Sequence, residues 1–280
     1  DSREIYYVEI QNRMLHYHTK AGVFTIRGAL KDVQEELEDW HFVKCNQCYL
    51  VNLKYVFLQP LLPMYVQSEQ LANHPDLLNI LSSAIGSLTN PEKLKNTFKT
   101  VKKSRITSAT IKKYLDCFED SFLIESAQRY DIKSKAYIET PKKYYFSDLG
   151  LRNARINFRQ FEQTHSMENV IYNELRMRGY SVDVGVIPIA EKDKAGKVTR
   201  KQLEVDFVCN MGSVRYYIQS AYSLPDETKR IQEIRPFRKI DDSFKKIVIT
   251  KDIVQPYYDN YGILTVNIYD FLLDPQILEK

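Results

Sequence analysis

The stretch Lys201–Ala221, KQLEVDFVCNMGSVRYYIQSA, decides how the rest of the chain is read. From Gln202 to Cys209 it alternates as a half-buried strand. Leu203, Val205, Phe207 and Cys209 fall to one side, and Glu204, Asp206 and Val208 to the other. Met211-Gly212-Ser213 supplies a turn, and Arg215 to Ala221 a second strand with Tyr217, Gln219 and Ala221 on one face. Paired as a hairpin, these strands set Asp206 beside Gln219. A carboxylate and an amide oxygen held on rigid strands suit a hard cation such as magnesium, the usual metal of phosphodiester chemistry. The same pattern equally describes a hairpin whose polar face is merely solvated.

Upstream, Ser166 is placed to cap a helix from Met167 to Arg178 that stops at Gly179. Its apolar stripe is Met167, Val170, Ile171 and Leu175, and Glu168 falls on that same inward face. Burying a carboxylate is costly, so its presence there needs a reason. Such a helix, followed by the Val-Asp-Phe strand and the Ile-Gln strand, resembles the core of the PD-(D/E)xK nuclease superfamily. The resemblance implies a magnesium site built from Glu168, Asp206 and Gln219. It departs at Ala221, where the superfamily carries its catalytic lysine, and so points to a scaffold that does not cleave. Lys201 is the nearest lysine in sequence that could stand in.

A chain of 280 residues is long enough for about two or three domains, each with its own core. No apolar run is long enough to span a membrane and no signal-peptide pattern opens the chain, so a cytoplasmic location is expected. The four cysteines do not form a secreted disulfide framework. Cys45-x-x-Cys48 has no second pair at metal spacing. The net charge of +4 is unevenly spread: residues 71–152 hold 14 Lys and Arg against 9 Asp and Glu. Within them, Pro91–Lys113 holds eight basic residues and Glu92 alone as an acid. A field of that kind attracts polyanions, nucleic acid first.

At the N-terminus, Ile5–Glu9, Met14–Thr19 and Val23–Arg27 read as strands. Leu30–Trp40 reads as an amphipathic helix with Leu30, Val33, Leu37 and Trp40 inward, and Phe42–Val56 as extended chain. The order YYVEI, NRMLHYHT, helix, FVKCNQCYLVNLKYV resembles the LytTR DNA-binding domain of response regulators, which inserts loops into the major groove. The resemblance implies base contacts from Asn12 and Arg13 in one loop and Asn46 and Gln47 in another. Amide side chains can read adenine edges. It ends at about Val56, which implies a half-domain (1–56) with an unpaired sheet edge and an incomplete core, followed by a junction at 57–70.

The middle segment, 71–152, reads as a winged helix. Leu77–Ser87 is a buried helix. Asn90-Pro91 opens a second with Leu94, Phe98 and Val101 in its stripe. Ser108 caps a third, with Ile111, Leu115, Phe118 and Phe122 inward and Ala109, Lys112, Lys113 and Asp116 outward. Phe122–Arg129 and Ala136–Phe146 are then two strands joined at a wing tip. In this reading Ser108, Lys112 and Lys113 sit in or beside a groove, and Lys99, Lys102, Lys103 and Lys135 lie on phosphates. A protein-docking winged helix with a solvated basic face would look the same.

From about Leu77 onward, SSAIGSLTNPEKLKNTFK, TIKKYLDCFEDSFLIESAQRYDIK, KYYFSDLGLRN, MENVIYNELRMRGY, QLEVDFVCN and YYIQSAYSL resemble the C-terminal part of prokaryotic AAA-type ATPases. Such members carry an ATPase core, a winged helix and a nuclease-like domain. No G-x-x-x-x-G-K-[ST] occurs in the chain, so no ATP site is expected in it. In the last segment, 153–280, a helix from Pro225 to about Phe237 carries Lys229, Arg230 and Arg235 as candidate phosphate contacts. Lys245–Thr250 and Ile263–Ile268 add strands to a mixed sheet flanked by helices. The expected architecture is thus a multidomain α+β and α/β chain with three parts: a β-rich LytTR-like fragment, a winged helix and a PD-(D/E)xK-like sheet. The leading functional expectation is a non-catalytic protein that binds double-stranded DNA. A magnesium-dependent nuclease and a protein-interaction module are the alternatives.

Overall fold

The computed structural model describes residues 4–11, 14–37, 42–44, 49–52, 75–102, 106–159, 162–192 and 198–279. The chain divides into two compact units, one of Asp1–Pro75 with Lys112–Leu123, the other of Asp76–Ile111 with Ile124–Lys280. The described residues form two sheets, the first in a β-rich N-terminal segment and the second large, mixed and flanked by helices.

In the N-terminal segment, β1 (Ile5–Gln11), β2 (Met14–Thr19), β3 (Gly22–Arg27), β4 (Phe42–Lys44) and β5 (Tyr49–Asn52) run in the order β3-β2-β1-β5-β4. Every pairing is antiparallel. The short helix α1 (Leu30–Glu36) covers one face, and Val8, Leu15, Leu30, Val33, Leu37, Phe42 and Leu50 close a core beneath it. Strand β5 returns to pair with β1, so the expected half-domain has a closed core and a continuous sheet. Among the described residues the sheet ends on β4 at one edge and β3 at the other, and on β3 Val23, Phe24 and Ile26 are all more than half exposed. Trp40 and the Cys45–Cys48 pair lie outside the described residues.

In the other unit, α2 (Pro75–Ser83) and α3 (Pro91–Lys102) precede α4 (Ser108–Asp120), a helix that straddles the division between the units. Asn90 caps α3 as expected, its Oδ1 accepting from the Lys93 amide at 2.7 Å. Thr107, not Ser108, caps α4: its Oγ1 accepts from the Thr110 amide, while Ser108 is already helical and donates its hydroxyl to Glu92. Phe122 does not continue the apolar stripe. The helix has ended there, Phe122 takes a left-handed φ of 55°, and its side chain is 54% exposed.

The second sheet is built from β6 (Ile124–Asp131), β7 (Ala136–Phe146), β8 (Ser181–Lys192), β9 (Val198–Met211), β10 (Val214–Ala221), β11 (Lys245–Thr250), β12 (Tyr257–Tyr258) and β13 (Leu264–Asn267). Their spatial order is β12-β13-β11-β10-β9-β8-β6-β7. Strand β6 pairs in parallel with β8. The hairpin expected to be a free wing is therefore one end of this sheet, and the boundary expected after residue 152 falls between strands that are hydrogen-bonded together.

Helix α5 (Leu149–Arg155) follows β7. Helix α6 (Gln163–Met177) packs one face of the sheet together with α8 (Ile268–Leu273), burying Ile171, Tyr172, Leu175, Phe207, Ile218, Ile249 and Phe271. Helix α7 (Glu227–Ile234) covers the other face over Val205, Val208, Tyr217, Ala221 and Val248. With both faces covered, the strands read as near-continuous apolar runs. Helix α6 begins at Gln163, so Ser166 lies inside it rather than at its cap.

Candidate functional site

Strand β9 departs from simple alternation at the residues that matter. Between the Asp183–Val208 and Gly185–Val205 pairs, β8 advances two residues while β9 advances three. That bulge sits at Asp206-Phe207. Val205 and Val208 consequently pack on the α7 face, whereas Phe207 and Cys209 join the α6 face. A bulge re-aims a side chain without ending the strand: Asp206 keeps the side of Glu204, towards α6, and Phe207 is turned to join it there.

A second irregularity lies in β7. Ala127 pairs with Lys143 and Arg129 with Ile138, so five steps of β7 face two of β6. After it, Lys143 and Tyr145 project on alternate positions towards α6. The helix is pinned at this point by Asn169, which accepts from the Phe146 amide and donates to the Phe146 carbonyl, both at 2.7 Å.

Four charged groups meet here. Lys143 Nζ lies 2.8 Å from Glu168 Oε1, 2.6 Å from Glu204 Oε1 and 3.8 Å from Asp206 Oδ1. Glu168 Oε1 also accepts from the Tyr145 hydroxyl at 2.7 Å, and Asp206 Oδ2 from the Ser220 amide at 2.8 Å. Tyr145 stacks on Tyr172 with ring centroids 4.0 Å apart, which fixes its hydroxyl. Lys143, Glu168 and Asp206 are buried, while the Glu204 side chain remains 37% exposed. Glu204 is thus the side of the cluster that solvent reaches.

Burial alone would lower the Lys143 pKa, but the charges of Glu168, Asp206 and Glu204 outweigh it and push the value up, so the ammonium is held charged. Asp206 moves the other way from an ordinary carboxyl. Burial first, then the charge of Glu168, push it up to about 8, against the pull of Lys143 and the Ser220 amide. Burial and the neighbouring Glu168 also raise the Tyr145 phenol well above its usual range, keeping it a donor.

Of the residues expected here, the fold joins Glu168 and Asp206 but not Gln219. Gln219 is paired next to Val248 and alternates with Tyr217 and Ala221, all of which belong to the α7 face. Its Oε1 is buried without a hydrogen-bond partner. Lys201 is not the substitute amine either, since it is exposed and pairs with Glu191. An ammonium does reach Glu168 and Asp206, but from Lys143 on β7, where no site residue was expected. Glu204, Lys143 and Tyr145 were missed. The signal for Glu204 was its place two residues before Asp206 on one strand. For Lys143 there was none, because its neighbours Pro141 and Lys142 read as a solvated wing.

The carboxylates as arranged do not suit a magnesium ion. The Lys143 ammonium already occupies the space among them, Gln219 faces away, and among the described residues no group of three acidic, histidine or cysteine side chains is disposed to hold a metal.

The expected nucleic-acid contacts divide. Asn12, Arg13, Asn46, Gln47 and Lys103 lie outside the described residues, as does the side chain of Lys102. Lys99, Lys112, Lys113 and Lys135 are exposed. Three basic residues counted in the central excess, Arg129, Lys143 and Arg152, are buried and add nothing to a surface field. On α7, Lys229 pairs with Glu233. Arg230 is buried against Asp259, Tyr257 and Thr265, and Arg235, just past the helix, pairs with Glu191. These three do not form a free phosphate-binding face.

Among the described residues no helix is long and apolar enough to cross a membrane. Residues 62–162 match a domain of unknown function, DUF8612. An uncharacterized protein of Haemophilus influenzae is 35% identical over 196 residues, 69% of this chain and 44% of that protein. The uncharacterized protein MJ1544 of Methanocaldococcus jannaschii is 27% identical over 198 residues, 71% of this chain and 41% of its own length. The chain thus spans less than half the length of these curated relatives. The crystal structure of protein VC1899 from Vibrio cholerae aligns with 95% of this chain and 66% of its own at 9% identity, with a TM-score of 0.32. Residues 1–57 match the LytTr DNA-binding domain, as the N-terminal pattern of strands and helix led us to expect.

Proposed function

We propose that this chain binds double-stranded DNA and is not itself a nuclease. The LytTr match at residues 1–57, in a segment that closes its own core, carries the reading. In it, the loops holding Asn12, Arg13, Asn46 and Gln47 read bases. Residues 71–152 act as a winged helix whose exposed Lys99, Lys112, Lys113 and Lys135 rest on phosphates. The eight-stranded sheet, which takes in the β6–β7 hairpin of that segment, is a PD-(D/E)xK-type scaffold of an AAA-type ATPase relative, working in the cytoplasm. Its acid cluster is neutralised from within by Lys143, so that it holds the fold and leaves the phosphodiester intact. Fluorescence anisotropy with a duplex oligonucleotide tests the first part. Affinity is expected to fall steeply with added salt, and charge reversal at Lys112 and Lys113 to weaken it further. Binding unmoved from low to high salt would refute the phosphate-contact mechanism.

One observation favours a second reading. An ammonium within 3.8 Å of Asp206 and 2.8 Å of Glu168 is also what a nuclease of this type requires. Incubation of plasmid with the chain and magnesium separates the two readings. No nicking is expected. Nicking that disappears in both Asp206→Ala and Lys143→Met would establish the nuclease instead.

A further inference from the structure

Two residues along β6 from Ala127, the partner of Lys143, stands Arg129, which is only 8% exposed. Its register partner on β8 is Val184, which packs on the α6 face, so Arg129 lies on the same face of the sheet as Lys143 and Asp206. Its guanidinium makes one hydrogen bond, from Nη2 to Gln202 Oε1. Nε is buried and has no hydrogen-bond partner among the described residues. Among the described residues no carboxylate pairs with it. Buried guanidinium groups are normally matched by an anion, because an uncompensated charge out of water is expensive. Of the other buried arginines in this unit, Arg230 is matched by Asp259, and Arg152 donates to the Ser82 carbonyl and the Asn153 side chain.

The surroundings say what kind of anion is missing. Gln202, Glu204 and Asp206 take successive alternate positions on β9, so one line of side chains leads from the guanidinium to the acid cluster. Glu204 would repel an anion were it alone, but Lys143 lies 2.6 Å from it and offsets that charge. The Gln202 amide can donate as well as accept, which adds a neutral donor beside the guanidinium. A planar fork of donors with an amide at its side fits a tetrahedral oxyanion.

We infer that Arg129, with Gln202, forms a phosphate subsite beside the Lys143 cluster, and that it takes one backbone phosphate of bound DNA. This rests on the DNA-binding reading for the source of the phosphate but not for the subsite itself, and it adds to the eight-stranded sheet a contact that the LytTr match does not supply.

The test uses the full chain, with Arg129→Gln and the charge-keeping Arg129→Lys, and two probes: inorganic phosphate and a duplex oligonucleotide. Phosphate at millimolar concentration is expected to raise the melting temperature of wild type and of Arg129→Lys but not of Arg129→Gln. On the duplex, Arg129→Gln should lose about tenfold in affinity, and the slope of log affinity against log salt should become shallower by about 0.9, the value for one phosphate. A chain that binds the duplex while all three proteins share one slope, one affinity and no phosphate shift overturns the subsite and leaves the DNA reading standing. A phosphate shift that depends on Arg129 in a chain that does not bind the duplex supports the subsite for free phosphate and removes the DNA reading. Should Arg129→Gln fail to fold, wild type settles the matter: no stabilisation by phosphate overturns the subsite.

Discussion

The N-terminal sheet and the eight-stranded sheet handle polar side chains in opposite ways. In the first, one face is covered by a short helix, the core cluster is apolar with Asn52 bonded to the Ile5 carbonyl beside it, and β3 stands exposed along its length. Charge stays outside, and alternation along the strands suffices to place it. In the second, helices cover both faces, so a polar group that points inward is costly unless it finds a partner there. Glu168, Glu204, Asp206 and Lys143 do so with one another. A sheet with a wet face can tolerate a stray charge, whereas a sheet covered on both sides converts each charge into a structural commitment.

That difference predicts where substitutions hurt. Lys143→Met should have the largest effect. It leaves the buried carboxylates without their cation, at an expected loss of about 3–5 kcal/mol measured by denaturant unfolding. Adding Glu168→Gln should recover part of that loss, because one buried charge then disappears. No recovery would mean that Lys143 acts through packing alone.

In the N-terminal sheet the comparable change is apolar. Leu50→Ala removes a fully buried side chain at the centre of its core, and should cost about 2–4 kcal/mol, read as lost amide protection confined to residues 5–52. Loss of protection spreading through the eight-stranded sheet would contradict the separate cores of the two units.

A pH-dependent effect belongs to Asp206. Its carboxyl is pushed from an ordinary 3.8 to about 8, so the folded chain binds the proton more tightly than the unfolded one. The stabilisation is therefore full below about pH 4 and is lost as the pH rises through about 8. Asp206→Asn, which is always neutral, should flatten stability across that window. An unchanged pH profile would show that Asp206 is ionised in the folded chain. Smallest of all should be Phe24→Thr on the exposed β3, with a change within about 0.5 kcal/mol. A larger loss would mean that β3 is covered in solution.

Much of this was legible in the residues. The Leu30–Leu37 stripe, the Asn90-Pro91 start, the Lys245–Thr250 strand and the inward position of Glu168 all follow from periodicity and capping, which act over a few neighbouring residues. The charge count of the middle segment was legible too, yet it misled. Arg129, Lys143 and Arg152 were indistinguishable in sequence from surface lysines and arginines, and became interior only when their strands and helix were packed.

The sequence by itself determined the periods: which stretches are strands, which are helices, and which faces are apolar. Only the tertiary structure decided that the hairpin after α4 would join the sheet of the last segment, because strand pairing depends on partners more than fifty residues apart, such as Arg129 and Val184. Only it could place bulges in β7 and β9, which come from the fit between neighbouring strands rather than from either strand's own pattern. The misfit in β7 turns Lys143 towards Glu168 and Asp206, and without it the acid pair and its amine would be three unrelated letters.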